Sequence, residues 1–391
     1  MSYDLQLWTS VSVAREALPD APSWEVQADT WVWRGKGWQI VVHPNQAVEP
    51  DDVPDQVMPL LPGIARLTAL HLEPGSAPQK AHSLLARAAK ALCRPGGVLV
   101  DPQTDEVSTA SGGRKYLAPA DREDTFSILL LSWWFTESPL QERPGVGALL
   151  DLMSRLLPEA LPRRYGLYEP PQYKYEDQGH DHFVQLIEAE RGGMVVWYPK
   201  RPVRGVDFQC DRNWGEHRLG FRSNHFAISI EADALADPGW HLAIRRFWRA
   251  ASELIRPFYG DVRTMSGYSG RGSTLWTRRE TQRHPIKSWW WKGIPSCLGH
   301  AVVLGSPYIG LWPAFSTVAE QAAGLAFLTA DQWTPATDVT ARVGGVPQEM
   351  MQPQFAPVSG TWEEVERANE LERRTYPIVF PFGTAHARGQ L

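Results

Sequence analysis

Between Asn224 and Thr264 the chain carries its most constraining pattern: a strand, a capped helix and a second strand in immediate succession. In His225-Phe-Ala-Ile-Ser-Ile-Glu231 the apolar residues fall at Phe226, Ile228 and Ile230. That two-residue period belongs to a strand with one face in a core. Asp237-Pro238 then opens a helix. An Asp carboxylate accepts the orphan N–H groups of a first turn, and Pro suits the first helical position, where its missing donor costs nothing. Trp240, Ile244, Phe247, Trp248, Ala251 and Ile255 recur at spacings of three and four, with Arg245, Arg249 and Glu253 on another side. Pro257 stops the helix, and Gly260-Asp-Val-Arg-Thr264 starts the next strand. Burying the large side chains of this stripe contributes on the order of 10 kcal/mol gross, at roughly 1.5–3 kcal/mol each, an upper bound against an extended reference chain.

A second stretch repeats the pattern. Leu67–Leu72 reads as a strand, Gln79–Cys93 as a helix with Ala81, Leu84, Leu85, Ala88 and Leu92 on one stripe, and Val98–Asp101 as a strand. Each copy follows a strand and a hairpin. Tyr3–Trp8 and the hairpin Trp31–Val42, turning at Gly35-Lys36-Gly37, precede the first. The very apolar Phe126–Phe135, a helix over Val146–Leu157, a strand from Arg164, and a hairpin of Phe183–Ala189 with Met194–Tyr198 precede the second. The expected fold is therefore α+β: two ferredoxin-like, split β-α-β modules with mainly antiparallel sheets, plus an irregular C-terminal extension. A chain of 391 residues exceeds one ordinary core. Composition shifts divide it into an N-terminal module over 1–120, a second module over 121–333 and an extension over 334–391 packed on the second module. Trp362–Arg374 is the helix candidate of that extension.

Composition narrows the function classes. A formal charge of −5 argues against non-specific nucleic-acid binding, which rests on excess Lys and Arg. Cys93, Cys210 and Cys297 are widely separated and never form Cys-x-x-Cys, so neither a disulfide framework nor a cysteine zinc site is expected. Met1–Trp8 lacks the basic and apolar regions of a signal peptide, and the apolar run ending at Phe135 is too short to span a bilayer. A cytoplasmic protein away from membranes is the expectation. The 18 tryptophans fit either aromatic cores or recognition surfaces.

Four stretches carry candidate chemistry. His180-Asp181-His182, at strand spacing, sends both imidazoles to one side, where they would hold a metal. No third ligand stands at a telling spacing (Glu176, Asp177 and His217 are the conceivable ones), so a polar loop entering a strand is the preferred reading and a metal site its alternative. Ser266-Gly-Tyr-Ser-Gly-Arg-Gly-Ser273 resembles a phosphate cradle superficially but lacks the Gly-Lys-Ser/Thr ending and reads as a loop. In Lys287-Ser-Trp-Trp-Trp-Lys-Gly293 a strand would put Trp289 and Trp291 on one face and Trp290 on the other, either buried or displayed as a contact patch. Tyr173-Lys-Tyr-Glu-Asp177 ends in two carboxylates suited to a basic partner. No Gly-x-Ser-x-Gly elbow is present and no catalytic residue is assigned.

The opening strand Tyr3-Asp-Leu-Gln-Leu-Trp8, the helix leading to Gly97-Val-Leu-Val-Asp-Pro-Gln-Thr104, and Gly293-Ile-Pro-Ser-Cys-Leu-Gly299 resemble bacterial immunity proteins of polymorphic toxin systems, most nearly immunity protein 52. The resemblance implies a non-enzymatic protein without cofactors that binds and occludes a cognate toxin. Trp289, Trp290, Trp291, Glu176 and Asp177 are the expected contact residues. The alternatives are a metal-dependent hydrolase using His180 and His182, and a subunit of a bacterial defence assembly contacting its neighbours through the extension.

Overall fold

The computed structural model describes residues 3–49, 52–53, 57–94, 96–102, 104, 106–109, 112, 114–116, 126–167, 171–190, 195–210, 215–217, 220–271, 274–277, 290–291, 293–333 and 339–351. By its contacts the chain divides into two compact units, Met1–Asp124 with Gly270–Thr274, and Thr125–Ser269 with Leu275–Leu391.

The first unit runs β1 (Tyr3–Thr9), β2 (Glu25–Gln27), β3 (Thr30–Gly35), β4 (Trp38–Ala47), β5 (Arg66–Glu73), α1 (Gln79–Cys93), β6 (Gly97–Asp101), β7 (Glu106–Thr109) and β8 (Arg114–Tyr116). The sheet order is β2-β3-β4-β5-β1-β6-β7-β8. β5 and β6 both pair antiparallel with β1, so they are parallel to each other and joined by α1, which makes a split β-α-β unit. The apolar stripe of α1 (Ala81, Leu84, Leu85, Ala88, Leu92) packs with Leu5, Leu7, Ile40, Val42, Leu70 and Leu72. A smaller cluster of Trp8, Leu67, Val98 and Val100 with Val53 and Val57 forms a separate patch. In the β3–β4 turn Gly37 has φ 78°. A Cβ on Gly35 would lie 2.1 Å from the Trp38 indole, so that turn needs glycine for a close approach as well as for its backbone.

The second unit runs β9 (Phe126–Phe135), α2 (Arg143–Leu156), β10 (Arg164–Gly166), β11 (Tyr173–Lys174), α3 (Tyr175–Ala189), β12 (Val196–Tyr198), β13 (Val203–Gln209), β14 (Gly215–His217), β15 (Gly220–Arg222), β16 (Asn224–Glu231), α4 (Pro238–Ile255), β17 (Tyr259–Arg271), β18 (Thr274–Thr277), β19 (Trp290–Trp291), β20 (Ala301–Leu304), α5 (Tyr308–Leu311), α6 (Pro313–Val318), β21 (Glu320–Ala322) and β22 (Leu325–Thr329). Its main sheet is ordered β13-β16-β9-β17-β20-β22-β21. β16 and β17 flank β9 antiparallel and α4 joins them, so the split β-α-β arrangement recurs. Both units are α+β with antiparallel sheets, as the repeated pattern predicts.

Asp237 caps α4 as expected, its Oδ1 accepting from Gly239 N at 2.8 Å. Trp133 on β9 stacks on Phe226 (5.2 Å) and on Trp248 of α4 (4.7 Å), and its indole N–H donates to Ser252 Oγ at 2.8 Å. A Cβ on Gly260 would lie 2.9 Å from Ser132 O and 3.0 Å from the Trp248 ring, so the bare glycine admits that ring against the sheet.

Two local expectations change. Phe183–Ala189 is not a hairpin strand but the end of α3, and β12 pairs with β10. Phe183, Val184 and Ile187 are buried at spacings of one, three and four, a helical stripe that a short apolar run does not distinguish from a strand. Ser266–Arg271 is not a loop but the continuation of β17, and a register shift between Met265 and Tyr268 with Gly267 at φ 85° marks a bulge. Of the extension, Val339, Val343 and Met350 join the core of the second unit. Residues 352–391, including the helix expected over Trp362–Arg374, lie outside the described residues.

Two stability predictions follow from this packing. Phe247 is fully buried, so Phe247→Ala should cost about 3–5 kcal/mol, and Gly260→Ala about 1–3 kcal/mol, in urea denaturation. In the first unit burial, with the neighbouring His71 ring at 5.2 Å, pushes the His43 imidazole from 6.5 down to about 4. Unfolded His43 therefore takes up its proton first on acidification. Its contribution is fully present above about pH 6.5 and is lost as pH falls towards 4. Thermal melts across that window should show a declining Tm that His43→Gln flattens.

Candidate functional site

The acidic stretch singled out by sequence opens α3, which packs with α2 and the small sheet β11-β10-β12. Glu176 and Asp177 lie exposed in the first helical turn. Negative charge there is favoured by the unsatisfied N–H groups and the helix dipole. Further along, Asp181 is 87% exposed and its carboxylate is 3.9 Å from Arg143. The 15-residue helix, YEDQGHDHFVQLIEA, contains four carboxylates and neither Lys nor Arg. Its buried face is Phe183, Val184 and Ile187. Gly179, at φ 78° and ψ 178°, breaks the helical path after its first turn, a conformation that glycine reaches without a Cβ clash.

His180 and His182 therefore sit on a helix, not at strand spacing. Residues two apart on a helix are separated by about 200°, so their imidazoles take different partners. His182 Nδ1 shares a 2.6 Å hydrogen bond with Tyr165 OH, and His180 Nδ1 shares one of 3.3 Å with Tyr175 OH. Burial, followed by the nearby Tyr173 and Tyr175 hydroxyls, pushes the Tyr165 phenol up to about 12, keeping it protonated. Among the described residues no three His, Cys, Asp or Glu side chains gather to hold a metal ion.

Sequence reading missed the aromatic setting of this helix. Tyr165 is edge-on to Phe183 at 4.7 Å, Phe183 to Trp197 at 4.8 Å, and Tyr173 to the His182 ring at 4.7 Å. Tyr173 and Tyr175 are half-buried next to the two carboxylates. The available signal was the Tyr-x-Tyr pair immediately before Glu176.

The tryptophan stretch divides. Trp289 lies outside the described residues, and of Trp290 only the backbone is described, opposite Arg222. Trp291 is 3% exposed. Its ring packs on Phe258 at 5.0 Å, Tyr259 at 5.2 Å and Trp134 at 5.4 Å, and its N–H donates to Tyr308 OH at 2.8 Å. Trp291 is thus a core residue with its polar atom satisfied. Nearby Asp261, fully buried, accepts from Arg263 Nε at 2.8 Å and Tyr259 OH at 3.2 Å. That pair neutralises charge inside the core, and such pairs are weak evidence for stability or activity. Among the described residues no helix is long and apolar enough to cross a membrane.

No family model matches the chain, and no curated protein does. A solved structure described as Pseudomonas aeruginosa T6SS protein PA0821 is similar at 11% identity and a TM-score of 0.39, covering 66% of this chain and 88% of that one. A likeness at that level identifies neither family nor activity.

Substitutions should separate packing from surface charge. Trp291→Ala is expected to cost about 3–5 kcal/mol in chemical denaturation. The double change Glu176→Lys/Asp177→Lys should cost at most about 2 kcal/mol, the scale of two helix-terminal charges.

Proposed function

We propose that this chain is a non-enzymatic, cytoplasmic immunity protein that binds a cognate bacterial toxin and occludes it. The observation that carries the reading is the charge of α3, with its four carboxylates, no cation, and Glu176 and Asp177 exposed at its start. Against a net charge of −5 for the whole chain, this one helix gathers a local excess of comparable size. Clustered charge of one sign accelerates encounter with an oppositely charged surface and disfavours wrong partners. The half-buried Tyr173 and Tyr175 beside it supply the aromatic contact area typical of binding hot spots. The resemblance of Tyr3–Trp8, Gly97–Thr104 and Gly293–Gly299 to immunity proteins supports a toxin as the partner, and the carboxylates of α3 suit a basic surface on it.

The test is association kinetics with the purified product of the neighbouring gene. Wild-type protein should form a complex, and Glu176→Lys/Asp177→Lys should lower the association rate constant roughly tenfold at low salt. The difference should shrink at high ionic strength, where charges are screened. An absent complex, or association indifferent to both charges and salt, would sink the reading.

A further inference from the structure

We infer that the basic outer face of α1 docks on the acidic start of α3 in a second copy of this chain. α1 and its C-cap carry Lys80, Arg87, Lys90 and Arg94, and the helix, QKAHSLLARAAKALC, contains neither Asp nor Glu. All four cations are exposed, and among the described residues none is engaged by a side-chain hydrogen bond or an ion pair. At 3.6 residues per turn the four fall within about 80° of one another and span about 21 Å along the axis. They lie on the side away from the buried stripe of Ala81, Leu84, Leu85, Ala88 and Leu92. Ser83 and Ala86, exposed beside them, are short, so a partner can approach closely. Positive charge is thus concentrated on one helix face of a chain whose net charge is −5.

Such a face calls for exposed carboxylates, and the chain carries them itself. Glu176 and Asp177 stand exposed in the first turn of α3, a helix with neither Lys nor Arg. Laid antiparallel, the last turn of α1, with Lys90 and Arg94, meets that first turn. The carbonyl end of one helix then faces the N–H end of the other, so the two dipoles also attract. Exposed ion pairs contribute little singly, so the contact is weak, needs several pairs together and is screened by salt. A nucleic-acid backbone or an anionic membrane fits less well. The net charge of −5 opposes either. α1 has no Phe, Tyr or Trp to stack on bases, and its leucines are buried rather than offered to lipid. The contact does not depend on the toxin reading of α3, and where both hold, toxin and second copy compete for that helix.

Sedimentation velocity of the full chain at rising concentration tests this. At low salt the wild type should self-associate reversibly, and in roughly 1 M salt, where the Debye length is about 3 Å, it should run as a monomer. Arg87→Glu/Lys90→Glu and Glu176→Lys/Asp177→Lys should each weaken low-salt self-association about tenfold or more. Mixed in equal amounts, the two variants should associate again, because each supplies the charges that the other has lost. Should Arg87→Glu/Lys90→Glu fail to fold, Lys80→Glu/Arg94→Glu carries the same expectation. A wild type that stays monomeric at low salt at every concentration overturns the proposal. So does self-association indifferent to salt or to either variant, and so does a mixture that stays monomeric. Binding of a single-stranded DNA oligonucleotide or of phosphatidylserine vesicles, abolished by Arg87→Glu/Lys90→Glu while the protein is monomeric, gives the face to a phosphate-bearing partner and also overturns it.

Discussion

The stacking of Trp133 on Phe226 and Trp248 holds α4 against the second sheet, and the other layers of that unit build on it. The contact joins a central strand, its neighbour and the crossover helix in one fully buried cluster. Trp133 also satisfies its only polar atom there, through Ser252, whose hydroxyl in turn donates to Trp248 O at 2.8 Å. An indole buried without such a partner would forfeit a hydrogen bond. Gly260 completes the arrangement, since any side chain on β17 at that point would strike Trp248 and the Ser132 carbonyl. Aromatic stacking, one hydroxyl and one missing Cβ together fix how closely helix and sheet approach.

Alternation then distributes roles across the sheet. Trp134, next in sequence to Trp133, takes the opposite face, where it neighbours His225, Tyr259 and Trp291. Aromatic residues thus fill both sides of β9. In a chain with 18 tryptophans, those resolved along this sheet serve cohesion. In the inserted layer of β10, β11, β12 and α3, the helix buries Phe183, Val184 and Ile187 and turns its carboxylates outward.

The two units reach the same split β-α-β arrangement from little shared sequence, with different helical cover. Between β1 and the β3–β4 hairpin the helical pieces of the first unit are short 3-10 turns, beside the short strand β2, where the second places α2. The comparison explains why pattern rather than identity revealed the repeat. A period of two, a period of 3.6 and a period of two again are required by any strand–helix–strand crossover that buries one face, whichever apolar residues supply it.

Much of the architecture was therefore written locally. The bounds of β9 and α1, the Asp237 cap of α4 and the strands either side of it follow from alternation, helical stripes and capping chemistry, which act within a few residues. The site was less legible. His182 on α3 meets Tyr165 of β10, Trp291 meets Tyr308 from a later helix, and Gly267 bends a strand rather than ending it, because β17 already has a partner on β9. The sequence by itself determined which segments had a face to bury. Only the tertiary structure decided which tryptophan faced inward and which carboxylates stayed in water, because those outcomes depend on what each face meets across the fold.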